Sequence, residues 1–313
     1  MSDDHDDSIA TFIAPFRVAP GSTVSLENDF VPGFKGALKK KRAVKRLRAG
    51  VQSLSEYQAR LAAQDTYGVL IILQALDAAG KDGTIRHVMS GVNPQGVAVH
   101  SFKEPSAEEL DHSFLWRYQQ YLPARGQIAI FNRSHYEEVL VVRVHPEDLD
   151  RQRLPPEAKR DGVWERRYRE INDWEHYLVD NGLRIVKLCL NLSKEEQRVR
   201  FLRRCDLPEH NWKFSANDIH ERAHWDAYQH AFSQMLSHTS TPWAPWHVIP
   251  ADHKWFARIA ASEVILDALI DIDPQYPTLD GDARARLLQA KCELEAQAPK
   301  GAAPDPVTAT QAS

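Results

Sequence analysis

The chain has 313 residues, 43% apolar and 26% charged, values of an ordinary folded protein that exclude collagen-like, disulfide-scaffold and wholly disordered readings. Lys and Arg number 39 against 43 Asp and Glu, a formal charge of −4, which taken alone argues against a polyanion-binding protein. Cys189, Cys205 and Cys292 are too few and too scattered for a disulfide framework or a metal knuckle and suit a reducing cytoplasm. The start, MSDDHDDS, lacks the basic flank and apolar stretch of a signal peptide, and no apolar run approaches the ~20 residues of a spanning helix. A cytoplasmic protein that does not enter a membrane is expected.

In chain order, residues 1–25 are polar or small with scattered Pro and read as a flexible arm. A basic stretch follows, Lys35, Lys39, Lys40, Lys41, Arg42, Lys45, Arg46 and Arg48, with no acid inside it; it fits either a solvated helix face or a surface that attracts anions. Leu54, Tyr57 and Leu61 recur at helical spacing and predict an amphipathic helix over 52–64. Strand-length apolar runs then alternate with helix-like stretches: Val69–Leu73, Val97–Phe102, Ile128–Phe131, Leu183–Leu190 and Trp246–Ile249. That alternation predicts an α/β fold, a parallel sheet sandwiched by helices, with ligands at the carboxyl ends of its strands. Residues 145–182 open with Pro146, Pro155 and Pro156 and carry Arg151, Arg153, Lys159, Arg160, Arg166, Arg167 and Arg169. A basic helical insert beside a ligand edge predicts a lid. The main domain is expected over 26–272, and 273–313 reads as a short helix near Leu287 followed by a disordered Ala/Pro tail.

The first strand leads into Gln74-Ala75-Leu76-Asp77-Ala78-Ala79-Gly80-Lys81-Asp82-Gly83-Thr84, and Ile85 to Met89 continues as a helix. A strand, a small-residue loop with Gly-Lys and a helix is the layout of a P-loop, or Walker A motif. Loop amides and the helix start point at phosphate oxygens, and the lysine adds a mobile positive charge. The competing reading is a Gly-rich turn with a solvent-facing lysine. Two positions depart from the standard pattern: Ala75 stands where the first Gly belongs, and Asp82 replaces the Ser/Thr. The phosphate-binding candidates are Ala78, Ala79, Gly80, Lys81, Asp82, Gly83 and Thr84. Asp77, a carboxylate among phosphates, points to a Mg²⁺ between them, with a turn cap as its plainer role. At the end of the third strand stands Asn132, where an acid would make a second metal ligand; Asn132 offers a carbonyl oxygen but no charge. Arg133 is placed to reach a transferring phosphoryl group, with a surface salt bridge as its alternative, and Glu137 is a further site candidate.

Six blocks, LQALDAAGKDGTIRHVMSGVNPQGV, SFKEP, FLWRYQQYLPARGQIAIFNRSHYEEVLVVRVHP, LVDNGLRIVKLCLNLSKEEQRVRFLRR, NWKFSAND and APWHVIPADHKWFARI, resemble the polyphosphate kinase 2 family in order and spacing, over about residues 28–270. NPQGV and FNRSHYEEVL look most like its class III subgroup. The resemblance implies a thymidylate-kinase-like P-loop fold with a helical lid. It also implies Mg²⁺-dependent transfer (Mn²⁺ being the alternative ion) of a phosphoryl group between inorganic polyphosphate and nucleoside mono- and diphosphates. By matching position, Asp77 would hold Mg²⁺ or orient the acceptor phosphate, Lys81 and the Gly80–Thr84 amides would cradle phosphates, and Arg133 would stabilise the transferring group. Lys103, Arg204 and Lys213 lie in matching blocks and would line the polyphosphate path. A homo-oligomer, dimer or tetramer, is expected; nucleic acid is not an expected partner. The alternatives are an ATP-dependent nucleotide kinase, disfavoured by Asp82, and a non-catalytic polyanion-binding module, disfavoured by Asp77, Lys81 and Arg133 occurring together.

His220-Glu221-Arg222-Ala223-His224 matches HExxH, which on a helix places two zinc ligands on one face; Glu263 is the candidate third ligand, and the motif is read as incidental. The net charge conceals an asymmetry. Asp3, Asp4, Asp6 and Asp7 hold four negative charges, and residues 271–313 have seven acids against four bases, so residues 8–270 carry +3. The acidic ends mask a basic body suited to a polyanion.

Overall fold

Five strands, β1 (Gly68–Ala75), β2 (Val97–Ser101), β3 (Ile128–Asn132), β4 (Leu183–Asn191) and β5 (Trp246–Pro250), form a sheet of order β2-β3-β1-β4-β5 in the computed structural model, which describes residues 9–299 other than Lys213 and, for Arg42, the backbone alone. Every pairing is parallel, with Val69 of β1 opposite Ile128 of β3 on one side and Arg184 of β4 on the other. The helices needed below are α1 (Lys40–Gln64), α2 (Lys81–Val88), α3 (Val163–Asp180), α4 (Lys194–Asp206), α5 (Asn217–Ala223), α6 (Trp225–Thr239), α7 (Lys254–Ile272) and α8 (Gly281–Ala296).

The unbroken apolar run of β1 follows from its central place. Alternate side chains serve two cores. Val69, Ile71 and Leu73 join Ile130, Val186, Leu54 and Leu61 of α1, Val88 of α2 and Val264 of α7. Leu70 and Ile72 face the other way, toward Phe131, Tyr168 and Ile171 of α3 and Phe232 and Leu236 of α6. Each fully buried aliphatic contributes roughly 1.5–3 kcal/mol, so a strand with neighbours on both sides and both faces covered favours an unbroken apolar run, which in β1 lasts until Gln74. Strand order reverses at β1, which puts the crevice at its carboxyl end, where the Gly-Lys loop begins.

Two expectations need correction. From Ile9 onward the predicted arm is packed. Ile9, Ile13 and Phe16 are buried in the α1–α7 core, with Phe16 edge-on to Phe12, Phe34 and Phe256. Arg17 bridges His247 antiparallel and the Val18 amide donates to the Trp246 carbonyl at 2.9 Å, covering the edge that β5 would otherwise expose. Residues 1–8 lie outside the described residues. The predicted lid over 145–182 fails for its second half: α3 is the crossover helix between β3 and β4, and Tyr168, Ile171 and Leu178 bury its apolar stripe against the sheet, while Val163 packs with Val142 and Leu149. Its first half, around His145 to Gln152, does reach the site.

The short helix expected near Leu287 is the 16-residue α8, capped by Asp280, whose carboxylate accepts from the Ala283 amide at 2.7 Å, and none of its residues is buried. It belongs to a second unit, Tyr276–Ser313; the predicted tail from residue 300 lies outside the described residues. Among the described residues, no helix is long and apolar enough to cross a membrane.

Phe16→Ala removes a ring at the centre of an aromatic cluster and is expected to cost about 3–5 kcal/mol in urea unfolding, whereas a flexible arm would leave stability unchanged. His247 supplies a pH test. Burial, then the charge of Arg17, pulls its imidazole from 6.5 to about 4. The unfolded chain therefore takes up a proton below pH 6.5 that the folded chain refuses until about pH 4, and stability falls across that window as pH drops. The His247→Gln variant is expected to lose that acid dependence, about 3 kcal/mol at this shift, with denaturation midpoints at pH 4.5 and 6.5 drawing together.

Candidate active site

After Ala75 the chain turns through a loop that reaches α2 at Lys81. Gly80, at φ +104°, makes the left-handed entry into the helix, and Ala78 takes φ +64° in the same loop. That conformation costs an alanine roughly 1–2 kcal/mol, and it persists because the loop is pinned from behind. Arg200 of α4, almost fully buried, donates to the carbonyls of Ala78 (3.0 Å) and Ala79 (2.7 Å), and to those of Ala251 (2.5 Å) and Asp252 (3.1 Å) after β5. Gln197 donates to the Asp77 carbonyl at 3.0 Å, and Lys81 Nζ to that of Ala75 at 2.9 Å. With the loop carbonyls held from the protein side, α2 starts without a side-chain cap, and the first-turn amides of Lys81, Asp82 and Gly83 have no helical carbonyl within reach. The cradle is narrower than expected: the Thr84 amide closes the first turn on Gly80 (2.9 Å) and that of Ala79 bonds Leu76 (3.3 Å).

Facing the loop is the turn after β3. Arg133 sits at φ +64°, its amide on the Leu73 carbonyl at 3.2 Å. Its guanidinium lies 3.0 Å from Asp77 Oδ1 and 3.5 Å from Glu137 Oε2, and the negative charge of Glu137, against partial burial, strengthens its hold on the proton. Burial pushes the Glu137 carboxyl up, against the pull of Arg133. Lys81 moves down, through burial and then the charge of Arg133. An anion placed beside Lys81 would offset both the burial and the repulsion from Arg133. Asn132 donates to Asp82 Oδ1 at 2.9 Å, leaving its own Oδ1 buried without a hydrogen-bond partner.

That orphaned oxygen belongs to a residue that lines the same groove as Asp77, and it bears on the expected Mg²⁺. Among the described residues, no group of three or more His, Cys, Asp or Glu side chains is arranged to hold a metal. A Mg²⁺ bound through one or two protein oxygens plus substrate phosphates and water needs no such group, and Asp77 with Asn132 Oδ1 meets that description. The HExxH decoy is engaged elsewhere. Glu221 accepts from Tyr228 (2.7 Å) and lies 3.0 Å from His145 Nε2, and Glu263 pairs with Arg46 in the core at 2.6 Å.

Three cavities meet at Arg133. A groove of about 630 Å³ runs from the loop along Arg86, Lys103, Arg203, Arg204, Lys254 and Arg258. Lys254 is pushed down by burial and then by Arg200 and Arg203, and Arg258 by burial and then by Arg86, so these cations crowd one another. A second cavity, about 600 Å³, extends from Arg133 and Glu137 past Tyr118, Val141 and His145 to α5. The third, about 190 Å³, is closed by Asp77, Trp225 and Tyr228. Of the expected polyphosphate-path residues, Lys103 lines the groove, Arg204 lines it while paired with Asp218 at 3.0 Å, and Lys213 lies outside the described residues. The basic run 35–48 contributes no described side chain to the groove, and Arg46 is spent on Glu263 and the Phe12 ring.

Sequence reading missed Arg200, Gln197, Arg86, Arg203, Lys254 and Arg258. The i, i+3 and i, i+4 spacing of Arg200, Arg203 and Arg204, and of Lys254 and Arg258, was the available signal, but nothing linear says which charged helix face meets the loop.

A 2-3-1-4-5 parallel sheet, a Gly-Lys loop at its switch point and a cation-rich groove define a P-loop kinase-like phosphotransferase. The family described as "Polyphosphate kinase 2 (PPK2)" matches residues 37–277. An ADP-polyphosphate phosphotransferase of Rhodopseudomonas palustris is 51% identical over 79% of this chain and 86% of that protein. An AMP/ADP-polyphosphate phosphotransferase of Meiothermus ruber is 42% identical over 84% and 94%. The crystal structure of polyphosphate kinase 2 from Arthrobacter aurescens TC1 superposes with a TM-score of 0.78 at 41% identity, covering 88% of this chain and 95% of that one. The chain belongs to the polyphosphate kinase 2 family and is an enzyme of phosphoryl transfer.

Loss of the clamp should be visible in catalysis. Arg200→Ala is expected to lower kcat/KM at least about 100-fold, in line with about 2.7–4 kcal/mol for a preorganised anion donor, because the amides lose their common direction. Steady-state kinetics of the folded variant check this.

Proposed function

We propose that the enzyme moves phosphoryl groups between inorganic polyphosphate and nucleoside diphosphates and monophosphates in the cytoplasm, with Mg²⁺. The observation that carries this reading is the placing of Arg133 where the cationic groove and the mixed polar and apolar cavities join. A linear polyanion suits the groove, whose basic side chains outnumber its acidic ones. A nucleotide suits the neighbouring cavity, which has room for a base and sugar and opens at its inner end on Arg133 and Glu137. The names of the two relatives share ADP, and one adds AMP.

In this reading Lys81 and the first-turn amides of α2 hold the end of the polyphosphate. A terminal phosphate oxygen of the nucleotide attacks the terminal phosphorus, the P–O–P bond behind it breaks, and the shortened polyphosphate leaves with the bond electrons. The attacking oxygen is already anionic, so neither a protein nucleophile nor a general base is required. Arg133 spans the junction and offsets charge on the transferring group, while Asp77 fixes the guanidinium in place. Bound Mg²⁺, held by Asp77 and the Asn132 carbonyl oxygen, would neutralise phosphate charge.

Purified protein with Mg²⁺ and polyphosphate is expected to turn ADP into ATP, and AMP into ADP and then ATP, with no added ATP, followed by ion-exchange chromatography. EDTA abolishes the reaction, and Arg133→Ala lowers kcat by about 1,000-fold or more, the scale of an arginine acting on a phosphoryl group. If ADP stays unphosphorylated without ATP, the reading is wrong; if AMP alone is inert, the acceptors narrow to diphosphates.

A further inference from the structure

Beneath the reacting residues lies a charge pair that phosphoryl transfer does not use. Glu175 of α3 and Lys187 of β4 are wholly buried, Nζ lying 2.7 Å from Oε2. Lys187 also donates to the Tyr136 hydroxyl (2.9 Å) and to the Thr239 carbonyl at the end of α6 (2.6 Å). The Tyr136 hydroxyl in turn donates to Glu175 Oε1 at 2.7 Å, and His135 Nε2 lies 3.2 Å from the same oxygen. Trp246 of β5 closes the group, its ring edge-on to Tyr136 at 4.7 Å.

A buried ion pair adds little stability over a well-packed apolar pair of the same volume, because desolvation offsets most of the attraction. What it supplies is direction, and its bonds lead to one place. His135 and Tyr136 belong to the turn that carries Asn132, Arg133 and Glu137. Their side chains go down into the pair, while Arg133 and Glu137 line the cavities above. Arg133 holds a left-handed backbone conformation, which persists only where its neighbours leave no alternative. On the upper side the turn is tied to β1 through the Arg133 amide on Leu73 and through Gln74, which donates to the Ser134 hydroxyl at 3.1 Å. On the lower side its polar ties run through Tyr136 and His135 to the pair, and through Glu138 to Arg167 of α3 and to Gln152.

We infer that Glu175 and Lys187 are positioning residues: through Tyr136 and His135 they fix the turn that aims Arg133 and Glu137 at the transferring phosphoryl group. This rests on the transfer reaction proposed above, and neither residue touches substrate.

The test compares the full-length wild type with Tyr136→Phe and with the double variant Glu175→Leu/Lys187→Met, measuring ATP formation from polyphosphate and ADP together with thermal midpoints. Tyr136→Phe keeps the pair and the Trp246 contact and removes one hydroxyl, so kcat is expected to fall about five-fold. The apolar double variant is expected to fall about thirty-fold; it also leaves the Thr239 carbonyl, the Tyr136 hydroxyl and His135 short of partners, so its melting point drops while KM separates aiming from general loosening. In both, KM for ADP and polyphosphate should stay within about two-fold, since groove and cavity are intact; a general loosening would move KM together with kcat. Either that joint movement or kcat within two-fold of wild type overturns the inference. Should the double variant not fold, Tyr136→Phe decides alone by the same criteria. A wild type that makes no ATP overturns the functional reading and this inference with it, whereas an active wild type with unchanged variants overturns the inference only.

Discussion

The site depends on the Arg200 guanidinium and the four backbone carbonyls it gathers. A loop that binds phosphate through its amides must send its carbonyls the other way, and buried carbonyls need donors. Arg200 meets this for Ala78 and Ala79, while Gln197 and Lys81 do so for Asp77 and Ala75. Because Arg200 also holds Ala251 and Asp252, the loop after β1 and the end of β5 are fixed to one charged plane. A guanidinium suits this task because its planar fork offers five donors that never lose the charge. The left-handed alanine at position 78 is tolerated on the same account.

Charge in the molecule is sorted by function rather than balanced locally. Arg86, Arg203, Lys254 and Arg258 crowd one another along the groove, although each would be more comfortable beside a carboxylate. At the junction the order changes: Arg133 is flanked by Asp77 and Glu137, which hold it in place and keep it charged. A groove rich in cations suits a polyanion, and in the function proposed above the paired arginine acts on one phosphoryl group at its end. The same sorting explains why the formal charge of −4 is a poor guide to the ligand.

Below this surface the protein spends buried polar groups where apolar ones would stabilise as well. Glu175, Lys187, Tyr136 and His135 join α3, β4 and the β3 turn through directional bonds, and Arg167 joins Glu138 to Gln152 in the same way. Hydrophobic packing sets how firmly elements adhere; hydrogen bonds set where a particular atom ends up. A reaction that relies on alignment of three phosphate-bearing groups gains from the second kind.

The sequence alone determined the parallel sheet, the Gly-Lys loop and the placing of Asp77, Lys81, Asn132 and Arg133 at strand ends, because periodicity and loop chemistry are local and leave a linear trace. It misjudged residues 9–25, whose few apolar side chains sit too far apart to show a pattern yet are buried in the cores on both faces of the sheet, and it made a lid of α3, whose basic residues hid the stripe of Tyr168, Ile171 and Leu178. Only the tertiary structure decided which cations serve the groove. The conspicuous run at 35–48 stands elsewhere, while Arg86, Arg203, Lys254 and Arg258 come from three helices brought together by the sheet. The reason is physical: a charge acts through space over several ångströms, and distance between residues of different elements is a property of the packed chain, not of its order.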